Sequence, residues 1–218
     1  MKKSLFITLF FAVTILFAQE KDKTLTIKQG TWNFGGGISL SVNNNESIRE
    51  NGNLTGENLG FTITPKFGYA INNNLVIGLG TGYSYNKSSS DFNNDDAAEN
   101  EQKIYSFSLI PYIKKHFGIG EKVSINLQGN FEYTRNWNDV FENNSSEYNY
   151  KSNNYFIGIR PGITYFINKN FALEAQAGSL GYSHTKSEQN NRSNSTKSNS
   201  FRFNLNTSSL SFGLSYYL

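Results

Sequence analysis

Residues 31–42 read TWNFGGGISLSV, and they alternate between two kinds of side chain. The even positions from Trp32 to Val42 are apolar apart from one glycine, whereas the odd positions are threonine, asparagine, glycine and serine. A period of two residues is that of a β-strand with two unlike faces. The stretch therefore predicts a strand that lies between an apolar and a polar environment.

The same alternation returns in seven further segments. They begin near residues 59, 75, 105, 123, 155, 171 and 201, and the last continues to the C-terminal Leu218. The apolar face changes phase near Gly178 and near Ser208, which predicts a β-bulge at each place. Eight such segments in 218 residues predict one all-β domain of about eight strands.

The connections between the segments alternate in length. Short turns are predicted at 72–74, 118–121 and 168–170, and long polar loops at about 43–58, 86–102, 138–154 and 183–200. Successive hairpins of this kind predict an antiparallel up-and-down barrel. Pro65, Pro111 and Pro161 each lie a similar distance before a short turn. Because proline has no N–H to donate, each should mark a bulge or gap in the pairing, with its ring facing lipid.

Aromatic side chains gather at both ends of the apolar faces, with aliphatic ones between them. The group near the long loops is Tyr83, Tyr85, Tyr105, Tyr133, Trp137 and Tyr155, and the group near the turns is Trp32, Tyr69, Phe117, Tyr165, Phe171 and Tyr216. Amphipathic rings settle at the headgroup level of a bilayer, so the pattern predicts a transmembrane barrel rather than a soluble, lipocalin-like one. The mean hydropathy of −0.50 agrees, because only alternate residues of each strand would face lipid.

The N-terminus has the features of a secretory signal peptide. Lys2 and Lys3 precede an apolar run, and Ala18 is suited to the last position before cleavage. We expect residues 1–18 to be removed, 19–29 to form a short periplasmic segment and 30–218 to form the outer-membrane barrel. Loss of Lys2 and Lys3 leaves 18 basic against 17 acidic residues, so no nucleic-acid partner is expected.

The last strand carries a recognisable pattern, since its apolar residues alternate up to the chain end. These residues are Leu210, Phe212, Leu214, Tyr216 and Leu218. They resemble the C-terminal membrane-assembly signal of outer-membrane proteins, although that signal usually ends in phenylalanine. With the signal peptide and the strand count, the chain resembles small outer-membrane β-barrel proteins of the OmpX and OmpA transmembrane-domain type. The resemblance implies outer-membrane lipid and the barrel-assembly machinery as partners, with both termini periplasmic and the long loops extracellular.

The polar face carries charges that would project into the barrel interior, namely Lys66, Lys114, Glu132, Arg160 and Glu174. The interior of an eight-stranded barrel is just filled by side chains, and buried charges are retained when they are paired. We therefore expect a polar network that plugs the lumen. The first three strands place many glycines inward. The alternative is therefore a lumen that stays open as a narrow channel for small solutes.

The sequence gives little support for a catalytic site or a metal site. Outer-membrane lipid A deacylases and palmitoyltransferases need a histidine beside a serine and an acid. The strongest candidate, His184, has Lys186 where the deacylase pattern has serine. Asp91, Asn93 and Asp95 begin like a calcium loop, but the glycine and glutamate that complete such a loop are absent. The chain has no cysteine. We expect no catalytic residue, metal or cofactor, and a structural or surface-interaction role whose extracellular partner the sequence does not identify; a lipid-modifying enzyme is the third possibility.

Overall fold

A computed structural model of the chain describes residues 24–49, 52–92, 100–142, 145–189, 195–204 and 210–218. The predicted signal peptide and the predicted phase change near Ser208 lie outside these residues. Within the described part, no helix is long and apolar enough to cross a membrane.

Antiparallel strands account for nearly all of the described chain. They are β1 (Trp32–Arg49), β2 (Gly52–Asn72), β3 (Leu75–Phe92), β4 (Asn100–Gly118), β5 (Val123–Glu142), β6 (Ser145–Phe166), β7 (Phe171–Ala177), β8 (Ser179–Gln189), β9 (Ser195–Asn204) and β10 (Leu210–Tyr217). β7 and β8 are two parts of the seventh barrel strand, and β9 and β10 are two parts of the eighth. β10 pairs with both β1 and β7, which closes the sheet into the predicted eight-stranded barrel.

The seventh strand breaks at Gly178, where the backbone has a φ of +65°. Glycine is the residue that adopts this left-handed conformation without a steric penalty. Before the break the even residues Glu174 and Gln176 face inward, and after it the odd residue Gly181 does so. The predicted phase change at Gly178 is therefore confirmed.

Each of the three prolines interrupts the ladder with the following strand. Pairing is missing at Pro65 between β2 and β3, at Pro111 between β4 and β5, and at Pro161 between β6 and the seventh strand. The ladder with the preceding strand continues through each proline. The predicted gap in the pairing is therefore confirmed at each proline, and the structure shows that it affects only one of the two neighbouring ladders.

The polar segments predicted as long loops are instead mostly paired strands. β1 and β2 stay in register up to the pair Arg49 and Gly52, and β3 and β4 up to Ser90 and Asn100. The prediction equated the end of the apolar face with the end of the strand. Ladder hydrogen bonds join backbone groups, so a hairpin can continue where both faces are polar. We call this side of the barrel the long-hairpin end and the opposite side the short-turn end.

The apolar face of the barrel points outward. Ile63, Leu109, Ile159 and Leu173 are all exposed on the outer surface, whereas the inward positions beside them are polar or small. Aromatic rings contact one another in pairs near both ends of this band: Trp32 with Tyr69 and Phe171 with Tyr216 on the short-turn side, and Tyr85 with Tyr105 and Tyr133 with Tyr155 on the long-hairpin side. This is the arrangement of a barrel surrounded by lipid.

The N-terminal segment, residues 24–31, crosses the short-turn end. The Leu25 N–H donates to the Gly120 carbonyl (2.8 Å), and the Ile27 N–H donates to Asn74 Oδ1 (2.7 Å). These contacts press Ile27 and Leu25 against an inward apolar layer composed of Ala70, Val76, Tyr112, Phe166, Ala172 and Tyr217. The segment therefore forms a floor beneath the lumen.

Candidate functional site in the lumen

A buried ion pair lies directly above this floor. Lys114 Nζ is 2.7 Å from Glu174 Oε2, and the side chains are only 2% and 8% exposed. The other carboxylate oxygen accepts hydrogen bonds from Ser215 Oγ (3.0 Å) and Tyr217 Oη (3.2 Å). Strands β4, β7 and β10 supply these groups, so the barrel must close before they can meet. Glu174 thus exchanges its hydration for one cation and two hydroxyls, the condition under which a buried carboxylate stays charged.

Uncharged polar side chains complete the same layer. Gln176 Nε2 donates to Gln128 Oε1 (2.9 Å), and Gln128 Nε2 donates to Asn130 Oδ1 (2.8 Å). Asn126 Nδ2 donates to Thr164 Oγ1 (2.9 Å). All five side chains are buried. The half of the lumen next to the short-turn end consequently contains buried polar side chains that hydrogen-bond to one another.

A second ion pair lies towards the long-hairpin end. Arg160 Nη2 donates to Glu132 Oε2 (3.1 Å), and Thr134 Oγ1 donates to Glu132 Oε1 (3.3 Å). The Arg160 and Glu132 side chains are 33% and 20% exposed, so water reaches this pair. The five charges expected in the lumen therefore fall into two pairs at different depths and one further residue, Lys66.

Lys66 faces inward from β2 and makes no ion pair or hydrogen bond with the residues that the structure describes. Its charge is within electrostatic reach of Lys114 and Glu174, whose own charges are matched to each other. Lys66 thus leaves the lower lumen with one positive charge in excess.

Phe156 also occupies the lumen, and the sequence analysis missed it. Its ring lies against Gly158 and Gly181, where an added Cβ would collide with the ring. The Arg160 guanidinium carbon lies 5.4 Å from the ring centroid, on the ring's face. The inward position of Phe156 in the alternation was the available signal, together with the two glycines that make room for it.

Neither histidine is a member of an ion pair among the described residues. His116 Nδ1 is 3.1 Å from Ser124 Oγ, and both residues are buried in the lower lumen. His184 points outward and contacts Asn199 (2.7 Å), whereas Ser183 and Ser187 lie on the opposite face of its strand. Among the described residues no cluster of three or more histidine, aspartate or glutamate side chains could hold a metal ion.

The residues of the predicted assembly signal lie on β10 and at the chain end. Phe212, Leu214 and Tyr216 share the outward face, and Leu218 is exposed. β10 also makes the contacts that close the barrel, because it joins β1 to β7. Its role as an assembly signal remains a prediction.

An eight-stranded antiparallel barrel with an apolar exterior, two bands of aromatic rings and a polar interior is an outer-membrane β-barrel protein. The chain belongs to the outer membrane protein beta-barrel domain family, whose sequence model matches residues 8–217. Neisserial surface protein A is a solved structure to which this chain is similar, with a TM-score of 0.35 and 16% identity over 88% of this chain and 98% of that one. No curated protein matches the sequence.

Proposed function

We propose that this protein is a non-conducting, non-enzymatic outer-membrane barrel that presents its long hairpins as an interaction surface outside the cell. The observation that supports the closed lumen is the buried layer formed around Lys114 and Glu174, beneath which the N-terminal segment packs. A steady ion current needs a continuous water path, and the burial and hydrogen bonding of these side chains support a lumen that is blocked at this layer. The filled lower lumen therefore argues against the narrow channel.

Conductance in planar bilayers tests this proposal. Wild-type protein is expected to give no steady single-channel current. A quadruple variant should conduct, because it removes the charged pair and two amide side chains of the layer together. Its substitutions are Lys114→Ala, Glu174→Ala, Gln128→Ala and Gln176→Ala. Arg160→Ala is the matched control, since Arg160 lies above the layer, and it should remain silent. Steady ohmic currents from the wild type would reject the proposal.

The hairpins support an interaction role through their polar, hydrogen-bonded surfaces. On the hairpin of β3 and β4, Glu101 contacts Lys87 Nζ and Lys103 Nζ, each at 2.5 Å. Along the strands, these groups lie farther from the apolar band than Tyr105, which belongs to the aromatic residues on the long-hairpin side. A hairpin stiffened by ladder hydrogen bonds and cross-strand charges offers a partner a more ordered surface than an irregular loop does.

Labelling of intact cells tests the orientation in which the long-hairpin end is extracellular. The native chain has no cysteine, so single substitutions report unambiguously. Ser88→Cys on the hairpin of β3 and β4 should react with a membrane-impermeant maleimide, whereas Asn168→Cys in a short turn should react only after the cells are opened. The reverse pattern would place the long hairpins in the periplasm and remove the proposed surface role.

A further inference from the structure

Basic side chains gather on the outer surface of one part of the wall. Arg135 of β5, Lys186 of β8 and Lys197 of β9 lie in a single row of cross-strand partners, in which Asn153 of β6 is the one uncharged member. Lys151 of β6 lies on the same face, in the next row towards the long-hairpin end. We call Arg135, Lys151, Lys186 and Lys197 the cationic patch. The ladders that carry it are continuous and fully described at this level.

The cationic patch has more positive charge than its described neighbours neutralise. Glu188 contacts Lys186, and no other ion pair to the patch exists among the residues that the structure describes. Lys186 and Lys197 are direct cross-strand partners, and like charges placed in this way destabilise a sheet. The comparable pair of lysines on β3 and β4 differs, because Glu101 contacts both of them. An anion bound to the patch would therefore offset a repulsion that the described part of the chain leaves in place.

The cationic patch adjoins the aromatic residues of the long-hairpin side. Tyr133 and Tyr155 occupy the next outward row towards the middle of the barrel, and Tyr133 Oη donates to Asn153 Oδ1 at 2.8 Å. Within the patch, the Arg135 guanidinium carbon lies 5.5 Å from the centroid of the Trp137 ring. Amphipathic rings settle at the headgroup level of a bilayer. The patch therefore lies at the depth where membrane lipids carry their phosphates.

An apolar groove lies on the same strands, nearer the middle of the apolar band. It has a volume of about 740 Å³, and its walls include Ile113, Phe131, Ile159, Leu180 and Tyr182. Gly129 lies between Ile113 and Ile159 in one row of cross-strand partners, and it has no side chain to fill the space there. Along β5, the step from Gly129 to Arg135 spans about 20 Å. This distance suits a lipid whose acyl chain lies in the groove and whose head group contacts the patch.

We propose that the cationic patch and the groove form one binding site for a lipid that carries phosphate monoesters, taken from the leaflet around the long-hairpin end. Lysine and arginine donate charge-assisted hydrogen bonds to phosphate, and a monoester carries nearly two negative charges at neutral pH. Lys186 and Lys197 share one phosphate, and the acyl chain covers Gly129. A second copy of the chain docked through the same patch would bring cations against cations. The site lies on the outer surface, so it depends neither on the closed lumen nor on the orientation proposed above.

Binding of lipid A with two phosphates to the full-length mature protein in uncharged detergent micelles tests the site, read by native mass spectrometry as the fraction of barrels that retain the lipid. Wild type should bind this lipid about tenfold or more tightly than the same lipid without phosphates, because charged hydrogen bonds are lost. Lys186→Gln with Lys197→Gln should weaken binding by a similar factor, and Lys186→Arg with Lys197→Arg should retain it. Lys122→Gln with Lys169→Gln is the matched control, since it removes two exposed lysines at the short-turn end, and it should leave binding unchanged.

A second variant tests the groove. Gly129→Phe should fill it and weaken the binding of lipid A, whereas Leu127→Phe, which adds bulk on the same strand outside the groove, should not. A Cβ at Gly129 makes only ordinary contacts, so the barrel should fold, and the change of gel mobility on boiling verifies this for every variant.

Three outcomes would overturn the proposal. The first is unchanged binding in the glutamine variant of Lys186 and Lys197, and the second is equal binding of lipid A with and without phosphates. The third is full competition by inorganic phosphate together with no effect of Gly129→Phe, which would show that the patch binds free phosphate rather than a lipid.

Discussion

Pro161 of β6 faces the interruption of the seventh strand at Gly178, the residue that separates β7 from β8. The ladder resumes at Gly162 with Gln176 on one side and at Ile159 with Leu180 on the other. A residue that cannot donate a ladder hydrogen bond thus faces the one place where the partner strand changes phase. The two irregularities coincide, so one interruption of the sheet serves both strands.

This relationship predicts that Gly178 cannot be replaced without loss of stability. In Gly178→Ala a residue with a Cβ must adopt the left-handed backbone conformation, which costs about 1 to 2 kcal/mol. Urea unfolding in lipid vesicles measures the loss. Gly120→Ala is the control, since a Cβ at Gly120 meets open space and its backbone needs no positive φ. Equal stability of the two variants would show that the φ of Gly178 is not maintained in the bilayer.

The buried pair of Lys114 and Glu174 predicts a strong dependence of stability on both partners. Lys114→Met should lower the free energy of unfolding by about 3 to 5 kcal/mol, because it leaves a buried carboxylate without its cation. The double variant Lys114→Met with Glu174→Leu should recover part of that loss, since no uncompensated charge remains. A double variant that loses the sum of the two single effects would argue against direct coupling.

Arg160→Ala should have a smaller effect than Lys114→Met, although it also removes the cation of an ion pair. A third of the Arg160 side chain is exposed, so water solvates Glu132 when the guanidinium is lost. We expect a loss of about 1 kcal/mol, typical of a solvated pair. The same unfolding experiment compares the two pairs, and a larger loss for Arg160→Ala would mean that the upper lumen is drier than the structure indicates.

The apolar band on the outer surface of the barrel predicts that the loss of stability caused by an added charge depends on the depth of that charge in the bilayer. Leu109→Arg should cost about 2 to 4 kcal/mol in bilayers, because it places a charge near the middle of the apolar band. Ile48→Arg changes an equally outward residue on the hairpin of β1 and β2, which extends beyond that band, and should be nearly neutral. Similar penalties at the two positions, measured by vesicle unfolding, would refute the assignment of the apolar band.

Glu101 predicts a local response to acid at the long-hairpin end. Hydrogen bonds from Lys103 and Lys87 hold the pKa of the Glu101 carboxyl below its ordinary value of 4.5. A depressed folded-state pKa adds stability above the ordinary value, and that stability is lost as the pH falls through the folded pKa. NMR titration of the Glu101 carboxyl carbon should follow this shift. In Lys87→Met with Lys103→Met the carboxyl should titrate near 4.5, and an unchanged midpoint would exclude the lysines as its cause.

The sequence by itself determined the strands, their two faces and the irregular points at the three prolines and at Gly178. Each of these depends on the residues of one strand: alternation sets the faces, proline removes a local donor, and Gly178 permits a local break. For the same reason the sequence misplaced the ends of the hairpins. Those ends depend on backbone pairing, which side-chain polarity does not report.

Only the tertiary structure decided which charges meet. Lys114 and Glu174 are 60 residues apart in the chain, and their contact depends on the stagger of strands around the closed barrel. That stagger brings Lys114, rather than Lys66, to the carboxylate.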